Sequence, residues 1–265
     1  MKDLAGRKYW DNLWANIKLQ GEVNPEKSYT DRCYHNLFIK YLPKGRLKAL
    51  EVGCGGSAWL PYFAKEFGYE IYGIDYAPKG IELEKKILQE QGVSATLICG
   101  DFLKFSFEKE VKFDIILSLG LLEHYTQPIV LLNKMKDLLK PNGLIVTTVP
   151  NFSNKFIKFL HFIVSKKLFK VHSVITPEDL NLWQKQIGLE RVVSARYFGF
   201  LSFYSRVNLD FVLDKMPKIF HYTFLQVIRG IDRVLELFPR LFDKAFDTRL
   251  FSRNIVSIYR KPPHT

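Results

Sequence analysis

The chain has 265 residues, 47% hydrophobic and 25% charged, with mean hydropathy near zero, a composition that excludes a disordered or low-complexity protein. Its net charge of +12 and pI near 9.4 favour anionic partners, whether nucleic acid, lipid surface or phosphorylated substrate, without choosing among them. Cys33, Cys54 and Cys99 give an odd count with neither a CxxC pair nor zinc-site spacing, so no disulfide framework and no metal are expected.

The N-terminus, MKDLAGRKYWDNLW, is charged and aromatic and lacks the apolar core of a signal peptide. No run of about 18 uncharged apolar residues follows it, so a cytoplasmic chain that does not span a membrane is expected. From Leu47 onward, short aliphatic runs alternate with longer amphipathic ones, the pattern of βαβ units around a parallel sheet. Leu47 to Val52 reads as the first strand and Ser57 to Gly68 as its helix, stopped by the glycine. Glu70 to Asp75 is a second strand, and Pro78 then opens a helix. ATLICGD is the third strand and Phe113 to Gly120 the fourth. After Pro128 an amphipathic helix runs to a stop at Pro141, Asn142 and Gly143, and Gly143 to Pro150 is the fifth strand.

Beyond Asn151 the segment from Lys155 to Lys170 mixes lysine with Phe, Ile and Leu and holds no acid, a composition suited to a membrane or a substrate. Thr176 is placed to cap a helix with Pro177 at its first position, and LERVVSARYFG is strand six. The next clean strand is Asn254 to Lys261. The expected fold is therefore α/β, a doubly wound, mostly parallel sheet of seven strands with a helical insertion between strands six and seven. Four regions are expected: a helical cap over residues 1–46, the α/β core over 47–198, the insertion over 199–253, and the last strand and tail over 254–265. The insertion carries a wide apolar helical face flanked by Arg229, Arg233, Arg240 and Lys244. That face suits an anionic bilayer, a lipid-phosphate or sugar-nucleotide substrate, or an interface.

In a doubly wound sheet a ligand sits at the carboxyl ends of the central strands, where a glycine turn meets a helix N-terminus. LEVGCGGS occupies that place. Asp75 follows Gly53 by 22 residues, the spacing of a carboxylate at the end of the second strand that reaches ribose hydroxyls. This combination alone also fits a nicotinamide-binding enzyme, but the loop lacks GxGxxG spacing and is preceded by Glu51. The third strand ends in Asp101 and Phe102, and the fourth leads into Glu123 and His124.

Taken together, LEVGCGGS, YGIDYA, CGDF, ILSLGLLEHY and LLKPNGLIVTTVPN resemble the class I S-adenosylmethionine-dependent methyltransferases, especially the branch acting on small molecules, quinones and sugars. The resemblance runs from about Tyr9 to Lys261. It implies that S-adenosylmethionine is the cofactor, with Glu51 orienting the loop and Gly53, Cys54 and Gly55 lining the methionine part. It implies that Asp75 binds the ribose, that Tyr76, Asp101 and Phe102 surround the adenine, and that Leu119 and Gly120 sit near the methyl group. Ser57 departs from the family, where many members carry a third glycine. The aromatic segment with Tyr9, Trp10 and Trp14 resembles one that folds over the cofactor, although a staple onto the sheet reads equally well.

His124 is the candidate general base, since an imidazole just past the fourth strand can take a proton from a hydroxyl. Its alternative is a purely structural role beside the cofactor. His161, His172 and Tyr125 are weaker candidates. The family's nucleic-acid signature after the fourth strand is missing, because LGLLEHY stands there. A small-molecule, sugar or lipid-linked acceptor is therefore expected, with peripheral membrane contact and without nucleic acid. An RNA-binding methyltransferase and a non-catalytic cofactor-binding partner remain the alternatives, and the oligomeric state is not legible.

Overall fold

The computed structural model describes residues 2–16, 22–153, 171–199 and 252–263, together with scattered positions between 217 and 249. Two helices precede the sheet: α1 (Arg7–Asn16) and α2 (Tyr29–Tyr41), the second capped by Ser28, whose side chain accepts from the Asp31 amide. The core then runs β1 (Lys48–Val52), α3 (Trp59–Phe67), β2 (Glu70–Asp75), α4 (Pro78–Glu90), β3 (Ala95–Cys99) and β4 (Phe113–Leu119). After a short 3-10 turn (Leu122–His124) come α5 (Pro128–Leu138), β5 (Leu139–Pro150), α6 (Pro177–Gln186), β6 (Glu190–Phe198) and β7 (Asn254–Arg260).

The seven strands lie in the order β3-β2-β1-β4-β5-β7-β6. The first five are parallel, and β7 runs antiparallel between β5 and β6. Strand order reverses direction between β1 and β4, so the loops that follow these two strands diverge to opposite faces and open a crevice at their carboxyl ends. Both faces of the sheet are covered, as a parallel sheet requires. Ala49, Ile71, Ile115 and Leu117 pack on one side with Phe38 and Phe63, while Leu50, Ile74 and Ile116 pack on the other with Leu131, Leu132 and Met135.

The local signals behave as their chemistry dictates. Gly68 ends α3 at φ +75°, a left-handed conformation that costs glycine nothing. Thr176 and Asp179 form a reciprocal capping box at the start of α6. One boundary differs: α5 stops at Leu138, ahead of the expected breaker at Pro141, because Leu139 pairs with Phe113 and is buried in the sheet. The basic segment 155–170 and most of the insertion 199–253 lie outside the described residues. Among the described residues no helix is long and apolar enough to cross a membrane.

Candidate active site

The turn after β1 is tied to β2. Gly53, at φ +80°, donates its N–H to the Ile74 carbonyl at 2.8 Å, and Gly56 turns the chain again at φ +63°. Asp75 closes the loop from below: one oxygen accepts from the Gly55 N–H at 2.9 Å and the other from the Ala77 N–H at 2.8 Å. Burial raises the pKa of this carboxyl, and these two backbone donors oppose the shift. A methyl group on Gly55 would lie 2.8 Å from Asp75 Oδ2, 2.9 Å from Trp14 Nε1 and 3.1 Å from Gly80 Cα. The glycines thus form a cradle that only bare backbone leaves open. α1 roofs it, with Trp14 over Gly55, Gly56 and Gly80, and with Trp10 stacked on Trp14.

Two buried carboxyls stand behind the cradle. Burial pushes Glu51 up to about 8, and burial with the neighbouring Glu51 charge pushes Glu84 up to about 9. Glu84 Oε2 accepts from the Ser57 N–H at 2.6 Å, whereas Glu51 Oε2 and Glu84 Oε1 have no hydrogen-bond partner. Both acids are neutral in the folded protein where an unfolded carboxyl, near 4.5, is charged. Their contribution to stability is complete below that unfolded value and is lost as pH rises toward 8 and 9, on the order of 1 kcal/mol per pH unit for each. The melting temperature is therefore expected to fall as pH rises from about 5 to 9. Glu84→Gln, which keeps an acceptor for Ser57, should make that slope shallower, and an unaltered slope would show that Glu84 is not the titrating group.

Across the crevice, Gly120 follows β4 at φ +77° and the 3-10 turn brings in His124. His124 is 3% exposed. Its Nδ1 lies 2.8 Å from the Val171 carbonyl, which can only accept, so Nδ1 carries the proton and Nε2 presents a lone pair. Burial, reinforced by His172, lowers its pKa to about 3. A proton taken from a hydroxyl would have to be held on an imidazole that its surroundings keep neutral. The general-base role expected for His124 is at odds with this environment, which is far more buried than a position just past a strand end suggested.

One cavity of about 650 Å³ joins these elements. Of the residues singled out in the sequence, Glu51, Gly53, Gly55 and Asp75 line it from β1 and β2. Tyr76, Asp101 and Phe102 line its far flank, Leu119, Gly120 and His124 border it from β4, and Trp10 borders it from α1. Tyr76 donates its hydroxyl to Asp3 at 2.6 Å, tying the N-terminus to this flank. Two candidates do not line it. Cys54 is fully buried and turns its sulfur into the sheet, where a methyl on Gly73 would come within 2.7 Å, and Tyr9 packs edge-on against Trp10.

Several lining residues carried no signal in the sequence. Tyr34 and Phe38 come from α2, Trp59 from α3, Thr148 from β5 and Asn254 from β7. Asn254 donates to the Tyr34 hydroxyl at 2.9 Å across 220 positions of chain. The hydrophobic face of α2 could have flagged Tyr34 and Phe38 as buried, but nothing local aims them at this cavity.

Residues 50–147 match the family model described as a methyltransferase domain. A ubiquinone biosynthesis O-methyltransferase from Pseudoalteromonas translucida is 26% identical over 73% of this chain and 81% of its own length. A protein of the same name from Cereibacter sphaeroides is 30% identical over 57% of this chain and 63% of its own length. The structure of magnesium protoporphyrin IX methyltransferase from Synechocystis with bound S-adenosylhomocysteine superposes with a TM-score of 0.58 at 13% identity, covering 96% of this chain and 97% of that one. At that identity the likeness speaks for the fold.

Proposed function

Since the chain is a class I S-adenosylmethionine-dependent methyltransferase, we propose that it methylates a hydroxyl on a ring-bearing, largely apolar small molecule seated against α2. The observation that carries this reading is that one cavity is lined both by the glycine cradle and by Tyr34, Phe38 and Trp59, with Thr148 and Asn254 as polar members of the same lining. Aromatic walls favour a flat ring, and a few polar groups fix its orientation. Relatives named for O-methylation in ubiquinone biosynthesis support an oxygen acceptor and a quinone-like ring.

The residues present fit the cofactor. Each Asp75 oxygen accepts one backbone N–H and keeps lone-pair capacity for ribose hydroxyls. Gly53 and Gly55 line the cavity with bare backbone and would admit the methionine part, and Glu51, whose Oε2 has no hydrogen-bond partner, lines it beside them. Tyr76 and Phe102 line the same cavity and would hold the adenine, with Asp101 as acceptor for its exocyclic amine. Leu119 and Gly120 also line it and would lie at the methyl end. When bound, S-adenosylmethionine supplies an electrophilic methyl on a sulfonium sulfur, whose S–C bond breaks as the O–C bond forms, the acceptor's hydroxyl proton passing to solvent. The chain itself orients the reactants beneath α1, and such positioning supplies most of the acceleration this chemistry needs.

Methyl-labelled cofactor, offered alkylated catechols and the matching aromatic amines, should deliver label to oxygen. Label on nitrogen alone would overturn the assignment. The described residues of the insertion include Ile219 (80% exposed), Phe220 (57%), Tyr222 (74%) and Val227 (54%). With the basic composition, they support an enzyme that visits a bilayer to reach a lipid-linked acceptor. The protein should cosediment with vesicles of anionic phospholipid and be released by salt; equal binding to zwitterionic vesicles would count against this.

A further inference from the structure

Tyr34, Thr148 and Asn254 come from α2, β5 and β7, and all three line the cavity. Asn254 Nδ2 donates to the Tyr34 hydroxyl oxygen at 2.9 Å, and the Thr148 hydroxyl lies close enough to interact with the same oxygen. Strand alternation puts Thr148 and Asn254 on the face of the sheet that Val146 and Val256 share, the face that packs against α2 and α3. The Tyr34 ring is wedged among Phe38, Trp59 and Phe198, with centroids 5.7, 5.4 and 5.0 Å away, so its hydroxyl is held in place.

Counting protons at this point leaves one donor over. Tyr34 and Thr148 each carry a single O–H, and Asn254 brings a further N–H to the tyrosine oxygen without taking a proton from it. If Thr148 donates to Tyr34, the tyrosine proton has no acceptor in the chain; if Tyr34 donates to Thr148, the threonine proton has none. Among the described residues neither hydroxyl has another hydrogen-bond partner, and both residues are only 7% exposed. A buried donor is costly to leave unmatched, so its acceptor belongs to what the cavity binds. Burial, opposed by the Arg253 charge, raises the pKa of Tyr34 to about 12, so its hydroxyl keeps its proton at any working pH.

The position of this donor says which oxygen it serves. Thr148 pairs with Leu119 in the sheet and its carbonyl accepts the Gly120 N–H at 2.9 Å. The donor therefore stands about one strand spacing, ~4.8 Å, from the backbone expected at the methyl end. A hydrogen bond onto the attacking oxygen would compete for the lone pair that must reach the methyl carbon, whereas one onto a neighbouring oxygen orients the ring without that penalty. We propose that Tyr34 is a specificity-determining residue whose hydroxyl, in concert with Thr148, donates to a second oxygen of the acceptor adjacent to the one methylated, and that Asn254 is its positioning residue. The assignment rests on the hydroxyl-methylation reading.

With methyl-labelled cofactor, the unsubstituted enzyme should use an alkylated catechol with a kcat/KM at least tenfold above that for the matching monophenol. Tyr34→Phe keeps the ring and its packing, and should lower that ratio to threefold or less, chiefly by raising KM for the catechol, with S-adenosylhomocysteine affinity within threefold. Asn254→Asp turns the positioning group into an acceptor that draws the Tyr34 proton to itself, and should lower the ratio as well although Tyr34 is intact. A merely structural defect would slow both compounds in proportion and leave the ratio unaltered, and that result in Tyr34→Phe would overturn the assignment. Equal use of the two compounds by the unsubstituted enzyme would also overturn it while leaving hydroxyl methylation standing; transfer to neither compound would overturn both.

Discussion

Asp75→Ala is expected to weaken S-adenosylhomocysteine binding by at least about 100-fold while leaving the protein folded with a modestly lower melting temperature. Hydrogen bonds to a charged group contribute about 1.5–3 kcal/mol each, and the substitution removes both the ribose acceptor and the group that pins the Gly55 and Ala77 amides. Binding therefore loses a direct contact and the preorganisation of the cradle together. Folding loses the two backbone hydrogen bonds, offset in part because burial raises the pKa of this carboxyl, a sign that its charge is held at a cost. Asp75→Asn retains one acceptor oxygen and should fall between the two. Calorimetric titration decides it, and an unchanged Kd in the alanine variant would displace the cofactor from this end of the sheet.

The second large effect is expected from Gly55→Ala. The added methyl meets Trp14 Nε1 at 2.9 Å and Gly80 Cα at 3.1 Å. The indole can swing away, but the Gly80 backbone is anchored in the first turn of α4 and cannot. Relief therefore comes from displacing Trp14 and shifting the Gly55 turn away from Gly80 and Asp75, at a cost in the range of about 1–3 kcal/mol typical of overpacking. Trp14 should become more exposed, read as a red shift in tryptophan fluorescence, and cofactor affinity should fall at least tenfold. A wild-type spectrum with normal affinity would show that the cradle accommodates the methyl without displacing Trp14.

The amphipathic rhythm after Leu47 was enough to predict the parallel strands and their helices, because side-chain periodicity is a local property. Gly68 and Thr176 stop and start helices where expected because their backbone and capping chemistry act within a few residues. The failure at α5 is of the opposite kind. Pro141, Asn142 and Gly143 are sound breakers, yet the helix yields earlier to a strand pairing that involves Phe113, 26 residues away. Cys54 lies in the right loop, but which way its side chain turns depends on the strand beneath it. His124 was legible as a polar residue near the reacting end, while its burial, which argues against proton transfer, comes from Trp10, Val171 and His172, none of them adjacent in sequence.

The sequence by itself determined the doubly wound sheet, the glycine cradle and Asp75 beneath it, since strand order, glycine placement and a fixed offset along the chain are properties of short stretches. Tertiary structure alone decided what surrounds that cradle: Trp14 as its roof, Tyr34 with Asn254 as the far wall, and His172 beside Glu123 and His124. Those neighbours belong to separate elements brought together by packing both faces of one sheet, and no local preference of the chain records which of them will meet.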